Sequence, residues 1–286
     1  MNLERLSCNP IIVPDMDARM GSNINGPSLI RVPDWVANPL GRYYLYFAHH
    51  QGTYIRMAYA DRVEGPWQIH TPGVLDLEDS HFQGHIASPD VHVLEESREI
   101  RMYYHGPVRE LGGQFTRLAI SADGLNFQAR PEVLGKYYWR VFRHGGMWYS
   151  IEKPPLLRRS PTGLGEFEEG PQLLPDATRH TAVHVEGDLL RIYYTAIGDC
   201  PEAIRLATVR LDRDWREWEA VDQGVVLEPG EPYEGIECPL EPSKGGAVHQ
   251  PVRQLRDPCF FEEGAKRYLL YSVAGENGIA IASLNE

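Results

Sequence analysis

Arg42-Tyr43-Tyr44-Leu45-Tyr46-Phe47, preceded by Pro27-Ser28-Leu29-Ile30 and followed by Ile55-Arg56-Met57-Ala58-Tyr59-Ala60, decides the fold. These are three short strands, rich in β-branched and aromatic residues and bounded by Gly, Asp and Glu turns. The third alternates: Ile55, Met57 and Tyr59 point to one face, Arg56, Ala58 and Ala60 to the other. The triplet recurs around Pro89-Asp90-Val91, Ile100-Arg101-Met102 and Arg117-Leu118-Ala119. It returns around Trp139-Arg140-Val141, Met147-Trp148-Tyr149 and Leu156-Leu157-Arg158. The fourth copy holds Thr181-Ala182-Val183, Leu190-Arg191-Ile192 and Ile204-Arg205-Leu206, and the fifth Pro258-Cys259-Phe260, Tyr268-Leu269-Leu270 and Ile279-Ala280-Ile281. A fourth, aromatic-containing strand follows several copies, at Trp67-Gln68-Ile69, Phe127-Gln128-Ala129 and Trp218-Glu219-Ala220.

Sheets of three or four strands cannot bury two faces alone, but stacking them radially does so. No helical period interrupts the repeat, which argues against a parallel α/β sheet. A β-sandwich would show less regular spacing. The expectation is an all-β, five-bladed β-propeller forming one domain over 1–286. Its blades fall near 22–70, 85–130, 137–170, 178–222 and 254–286. The last copy lacks an outer strand, and Pro10-Ile11-Ile12-Val13 is expected to supply it and close the ring, removing an exposed edge.

The 286 residues are 42% hydrophobic and 24% charged, which suits a globular domain. A net charge of -12 argues against a nucleic-acid partner, because a phosphate backbone needs a basic footprint. The first residues lack a signal-peptide pattern, and no apolar run reaches the roughly 18 residues of a membrane span. No membrane partner and a cytoplasmic location are therefore expected. Cys8, Cys200, Cys238 and Cys259 form no CxxC pair, so they read as buried free thiols rather than a zinc site.

In a propeller the innermost strands line a central channel, and their starts converge on one funnel. Here those starts read Asn25-Gly26-Pro27-Ser28, Ser88-Pro89-Asp90, Tyr138-Trp139-Arg140, Arg179-His180-Thr181 and Arg256-Asp257-Pro258. Strand packing does not require acids, histidines and arginines there, and convergent buried charges are costly unless they pair or act. Asp90 and Asp257 read as a carboxylate pair flanking a bond to be cleaved, although Asp-Pro is also an ordinary turn dipeptide. His85 could donate a proton or bind a hydroxyl. The longest loop, about 228–254, carries Glu237 beside Ile236, a second candidate acid, with Glu234 competing. Asn25, Tyr138, Arg140, Arg179, His180, Tyr233 and Arg256 are the candidate substrate-binding residues. The arginines would either fork onto an anionic sugar or neutralise the two aspartates. No cofactor is expected; a channel ion such as calcium is compatible with the pattern.

The chain resembles the five-bladed propeller glycoside hydrolases of families 43 and 117. The resemblance rests on Asn9-Pro10-Ile11-Ile12, Gly26-Pro27-Ser28-Leu29-Ile30, Ser88-Pro89-Asp90-Val91 and Asp257-Pro258-Cys259-Phe260. It implies catalysis by inner-strand carboxylates, with Asp90 matching the aspartate that tunes pKa and orients substrate, and a histidine as acid in family 117. Gly26 stands where that pattern has the base, and Tyr138-Trp139-Arg140 where it has Glu-Gly-Pro. The expected activity is an exo-acting glycosidase on a small oligosaccharide. The alternatives are a lyase using His, Tyr and Arg, or a sugar-binding propeller without turnover.

Overall fold

The computed structural model describes residues 2–285 and places them in five antiparallel sheets around an axis. The first blade orders Asn25–Arg31, Tyr43–Ala48, Tyr54–Ala60 and Gln68–Ile69 from the axis outward, and Leu75–Asp76 also pairs the third strand. The second orders Ala87–Leu94, Glu99–Val108, Gly113–Ser121 and Gln128–Ala129, with Gly135–Lys136 added to its third strand. The third is Arg140–His144, Met147–Ile151, Leu156–Ser160 and Glu168–Gln172. The fourth is Thr178–Glu186, Leu189–Ala196, Ile204–Arg210 and Ala220–Leu227. The fifth is Arg256–Glu263, Lys266–Ser272, Ile279–Asn285 and, from the other end of the chain, Asn2–Arg5.

Alternation explains the stacking. Tyr43, Leu45 and Phe47 pack with Phe261, Leu270 and Ile281 of the fifth blade. Tyr44 and Tyr46 point the other way, against Ile100, Met102 and Tyr104 of the second. Three further clusters fill the second–third, third–fourth and fourth–fifth junctions. A period of two therefore builds a core on each face of every middle strand, and each large side chain fully buried there stabilises by roughly 1.5–3 kcal/mol.

The ring closes differently from the expectation. Asn2–Arg5 pairs Ile279–Asn285, whereas Ile12 makes only an isolated bridge to Ile279. Ile11 and Ile12 are both buried, which an alternating edge strand does not allow. The Asn9 side chain also occupies both backbone groups of Ile281, ending the ladder there. Among the cysteines, all four are free, but only Cys259 is buried and Cys200 is exposed.

Candidate active site at the funnel mouth

Every innermost strand whose pairing spans its start carries an extra residue there. Register skips between Asn25 and Ser28, Ala87 and Asp90, Thr178 and Thr181, and Arg256 and Cys259. Such bulges re-aim side chains. Gly26, Ser88, Tyr138 and Asp257 all adopt left-handed backbone, at φ 61, 48, 58 and 47. For Tyr138 and Asp257 that conformation is strained, a feature that clusters at functional sites. A Cβ at Gly26 would sit 3.1 Å from the Ser88 Cα, so the carboxylate that the resemblance places there would need the second blade's strand to give way by a few tenths of an ångström.

Antiparallel pairing brings the loop between second and third strands of each blade to this same end. Those loops deliver His49 and His50, Lys153, Glu202 and Glu276, and the second blade's long ladder delivers His105. Lys153, Glu202, Glu276 and His105 were not singled out from sequence, and the adjacent pair His49-His50 reads there only as a strand end whose diverging side chains make no metal site. Each is a titratable residue at a repeated position, and that recurrence is the signal that could have found them.

The buried charges form a chain. Arg179 forks onto Glu202 (Nε–Oε1 2.7 Å, Nη2–Oε2 3.0 Å) and also donates to the Lys244 carbonyl at 2.6 Å. Arg256 lies 3.6 Å from Glu202 and 2.9 Å from Glu276. Glu276 accepts from Asn23 and Asn25 and faces His50 at 3.3 Å. Arg179 and Arg256 are thus committed to carboxylates rather than free to grip an anionic sugar. Arg140 donates to the Trp139 carbonyl, and its charge acts on both Asp90 and Asp257.

Asp257 is 1% exposed, accepts from the Ser272 hydroxyl at 3.2 Å, and lies 2.7 Å from His180 Nδ1. Burial works to raise its pKa, but His180 and the fixed charges of Arg256 and Arg140 outweigh it and keep the group ionised. Burial lowers His180, only partly offset by Asp257, so the imidazole is neutral near pH 7. The Tyr138 ring meets His180 edge-on at 4.4 Å and meets His105 at the same distance on its other side. Burial also lowers His105, whose Nδ1 is buried without a hydrogen-bond partner among the described residues.

Asp90 sits further down the channel. It accepts from the Val141 N–H at 2.7 Å and faces His92 at 2.8 Å. Burial works to raise it, but His92, Arg140 and that N–H hold it below the usual carboxylate range. It lines a channel cavity of about 300 Å³ with Ser28, Arg140, His184 and Cys259. His85 reaches the mouth, half-buried, with Nε2 3.2 Å from Gln114 Oε1. Burial lowers its pKa, which makes it a weak proton donor at neutral pH.

The long loop corrects two expectations. Glu237 is exposed and has no side-chain partner among the described residues, so Ile236 does not bury it. Tyr233 packs with the fourth–fifth blade core and lies by Asn9, away from the mouth. The neighbouring Glu234 is fully buried and holds Arg5, Tyr271 and two loop N–H groups, which latches the closing strand. Lys244, Gly246 and Val248 reach the funnel instead, through backbone contacts to Arg179, Arg256, Asn23 and Glu276. Among the described residues no group of three or more His, Cys, Asp or Glu is arranged to hold a metal ion.

No family model matches the sequence. Solved structures share the fold. CoXyl43, a family-43 β-xylosidase/α-arabinofuranosidase from a compost microbial metagenome in complex with xylotriose, aligns with TM-score 0.66 at 15% identity, covering 99% of this chain and 96% of that one. The GH43_1 enzyme from Xanthomonas citri complexed with xylose gives 0.66 at 14% identity, over 98% and 94%. The fold is thus the five-bladed propeller of family-43 glycoside hydrolases. In sequence the chain is 36% identical over 299 residues to the "Uncharacterized protein R118" of Acanthamoeba polyphaga mimivirus, covering 92% of this chain and 83% of the viral protein. It belongs to that protein's family.

Proposed function

We propose that the protein is a glycoside hydrolase that removes a terminal sugar from a small oligosaccharide at the funnel mouth. The observation that carries this reading is the Asp257–His180 contact, set on a strained bulge beneath Tyr138. An ionised aspartate 2.7 Å from Nδ1, at an angle that closes no hydrogen bond, stabilises by its charge the imidazolium formed when His180 takes a proton from water or a sugar hydroxyl. Tyr138 and Tyr137, with ring centroids 5.0 Å apart, offer faces for a sugar ring. The buried chain of Arg179, Glu202, Arg256 and Glu276 closes one side of the funnel, which favours end-on entry. Asp90 and Arg140 act on each other only through charge at longer range.

The commitment of Arg179 and Arg256 to glutamates weighs against the lyase alternative, which needs a free carboxylate clamp. Gly26 in place of a base favours a second reading, a propeller that binds sugar without turnover. The test is sugar release from a panel of oligosaccharides, beside saturation binding of the same sugars. Turnover lost about 100-fold in Asp257→Asn supports hydrolysis; saturable binding with no release supports the second reading.

A further inference from the structure

The proposed hydrolysis needs a proton donor, and the expected ones do not serve: His85 is held neutral and Glu237 stands exposed on the loop. We infer that Lys153 is the donor, placed on the wall of the mouth by the loop between the second and third strands of the third blade. The assignment rests on the hydrolase reading above.

The placement is built from both sides. The Lys153 backbone N–H donates to the Tyr137 carbonyl at 2.9 Å, which ties it to the residue before Tyr138. Its Nζ donates to the Thr178 carbonyl at 2.5 Å, which brings the ammonium beside Arg179 and within electrostatic reach of His180. The preceding Glu152 points the opposite way, into the blade, where it accepts from Lys136 N, Trp139 and Arg158. An ammonium has three donors, and one is used. Among the described residues no carboxylate lies at ion-pair distance from Lys153. Glu202, the carboxylate that acts on it, is held by Arg179 and lies within ion-pair distance of Arg256.

The groups facing Lys153 agree with the role. Burial lowers its pKa, Arg179 lowers it further and Glu202 opposes, leaving it at about 8. Such a group is charged at neutral pH yet gives up its proton more readily than an ordinary lysine near 10.4. In the step, the ammonium transfers a proton to the glycosidic oxygen as the bond to the anomeric carbon breaks. The neutral His180 takes a proton from the attacking water, whose oxygen forms the new bond. The two protein groups end with exchanged protons, and solvent resets them.

The experiment uses the intact protein, xylobiose and 4-nitrophenyl β-D-xyloside, with Lys153→Met and Lys153→Arg. Nitrophenolate leaves without protonation, so a missing donor matters little for it. Both variants should lose about 100-fold in kcat on the disaccharide and only a few-fold on the aryl glycoside. Amine acylation followed by peptide mass spectrometry should show Lys153 reacting with a midpoint near 8, below the value near 10.4 of a lysine in a model peptide run beside it. Lys153→Arg keeps the charge, so its recovery of disaccharide activity would mean a structural role and overturn the assignment. Equal losses on both substrates, or a Lys153 midpoint matching the model peptide, would overturn it as well. Absence of turnover on both substrates by the wild type would instead overturn the hydrolase reading, and the donor role with it.

Discussion

Replacing Glu202 by glutamine removes one charge from the centre of the buried chain. The carboxylate is fully buried, forks with Arg179 at 2.7 and 3.0 Å, and lies 3.6 Å from Arg256. Breaking a buried pair by removing one partner costs about 3–5 kcal/mol, because the other charge is left without compensation. Arg256 keeps Glu276 at 2.9 Å and Arg179 keeps the Lys244 carbonyl, so the lower end, about 3 kcal/mol, applies. At roughly 2–4 °C per kcal/mol for a chain near this size, Glu202→Gln should lower the melting temperature by about 6–12 °C. Thermal unfolding followed by circular dichroism at pH 7 measures it. Glu168→Gln is the control: it breaks exposed pairs to Arg159 and Arg216 and should change stability by under about 0.5 kcal/mol. Adding Arg179→Met to Glu202→Gln should recover part of the loss, since an uncompensated charge then leaves the interior. A Glu202→Gln protein melting within about 2 °C of wild type would refute the reasoning.

Other outcomes follow from the same geometry. Glu234→Ala should cost at least about 2 kcal/mol in urea unfolding by freeing Arg5 and the closing strand, while Glu237→Ala should stay within about 0.5. Gly26→Ala should cost about 1–2 kcal/mol, because its φ of 61 and the nearby Ser88 both resist a side chain. Burial depresses His105 in the folded state, so the unfolded chain takes up that proton first. Its contribution is full above about pH 6.5 and is lost as pH falls below that value, with a slope near 1.4 kcal/mol per pH unit. His105→Phe should therefore show a shallower loss of stability between pH 7 and 5 than wild type.

The repeat was legible because each blade interface needs one period-two face, and Tyr43 to Phe47 supply two such faces in five residues. Asp257, His180, Tyr138, Arg140 and Asn25 were legible for the same reason: they open innermost strands, and a propeller sends those starts to one place. The partners of the arginines were not. Glu202 and Glu276 sit in loops whose sequences carry turn chemistry, and only the antiparallel return of the third strand carries them to the funnel. The loop before the last blade misled because exposure and chain path are set by long-range contacts. Glu234 and Glu237 look equivalent in sequence, yet the first is fully buried against Arg5 and Tyr271 and the second is exposed. The closing strand was misplaced for a related reason: Ile11 and Ile12 are apolar enough for a strand, but both are buried beneath the blade's end.

The central claim is that the funnel mouth processes a sugar through the Asp257–His180 contact. Its most direct test is sugar release from xylo- and arabino-oligosaccharides by the wild type, His180→Gln and Asp257→Asn, with binding of the same sugars measured in parallel. The account predicts release by the wild type, losses of about 100-fold or more in both variants, and binding that falls much less. Full turnover in either variant, or sugar binding by the wild type without any release, would contradict it.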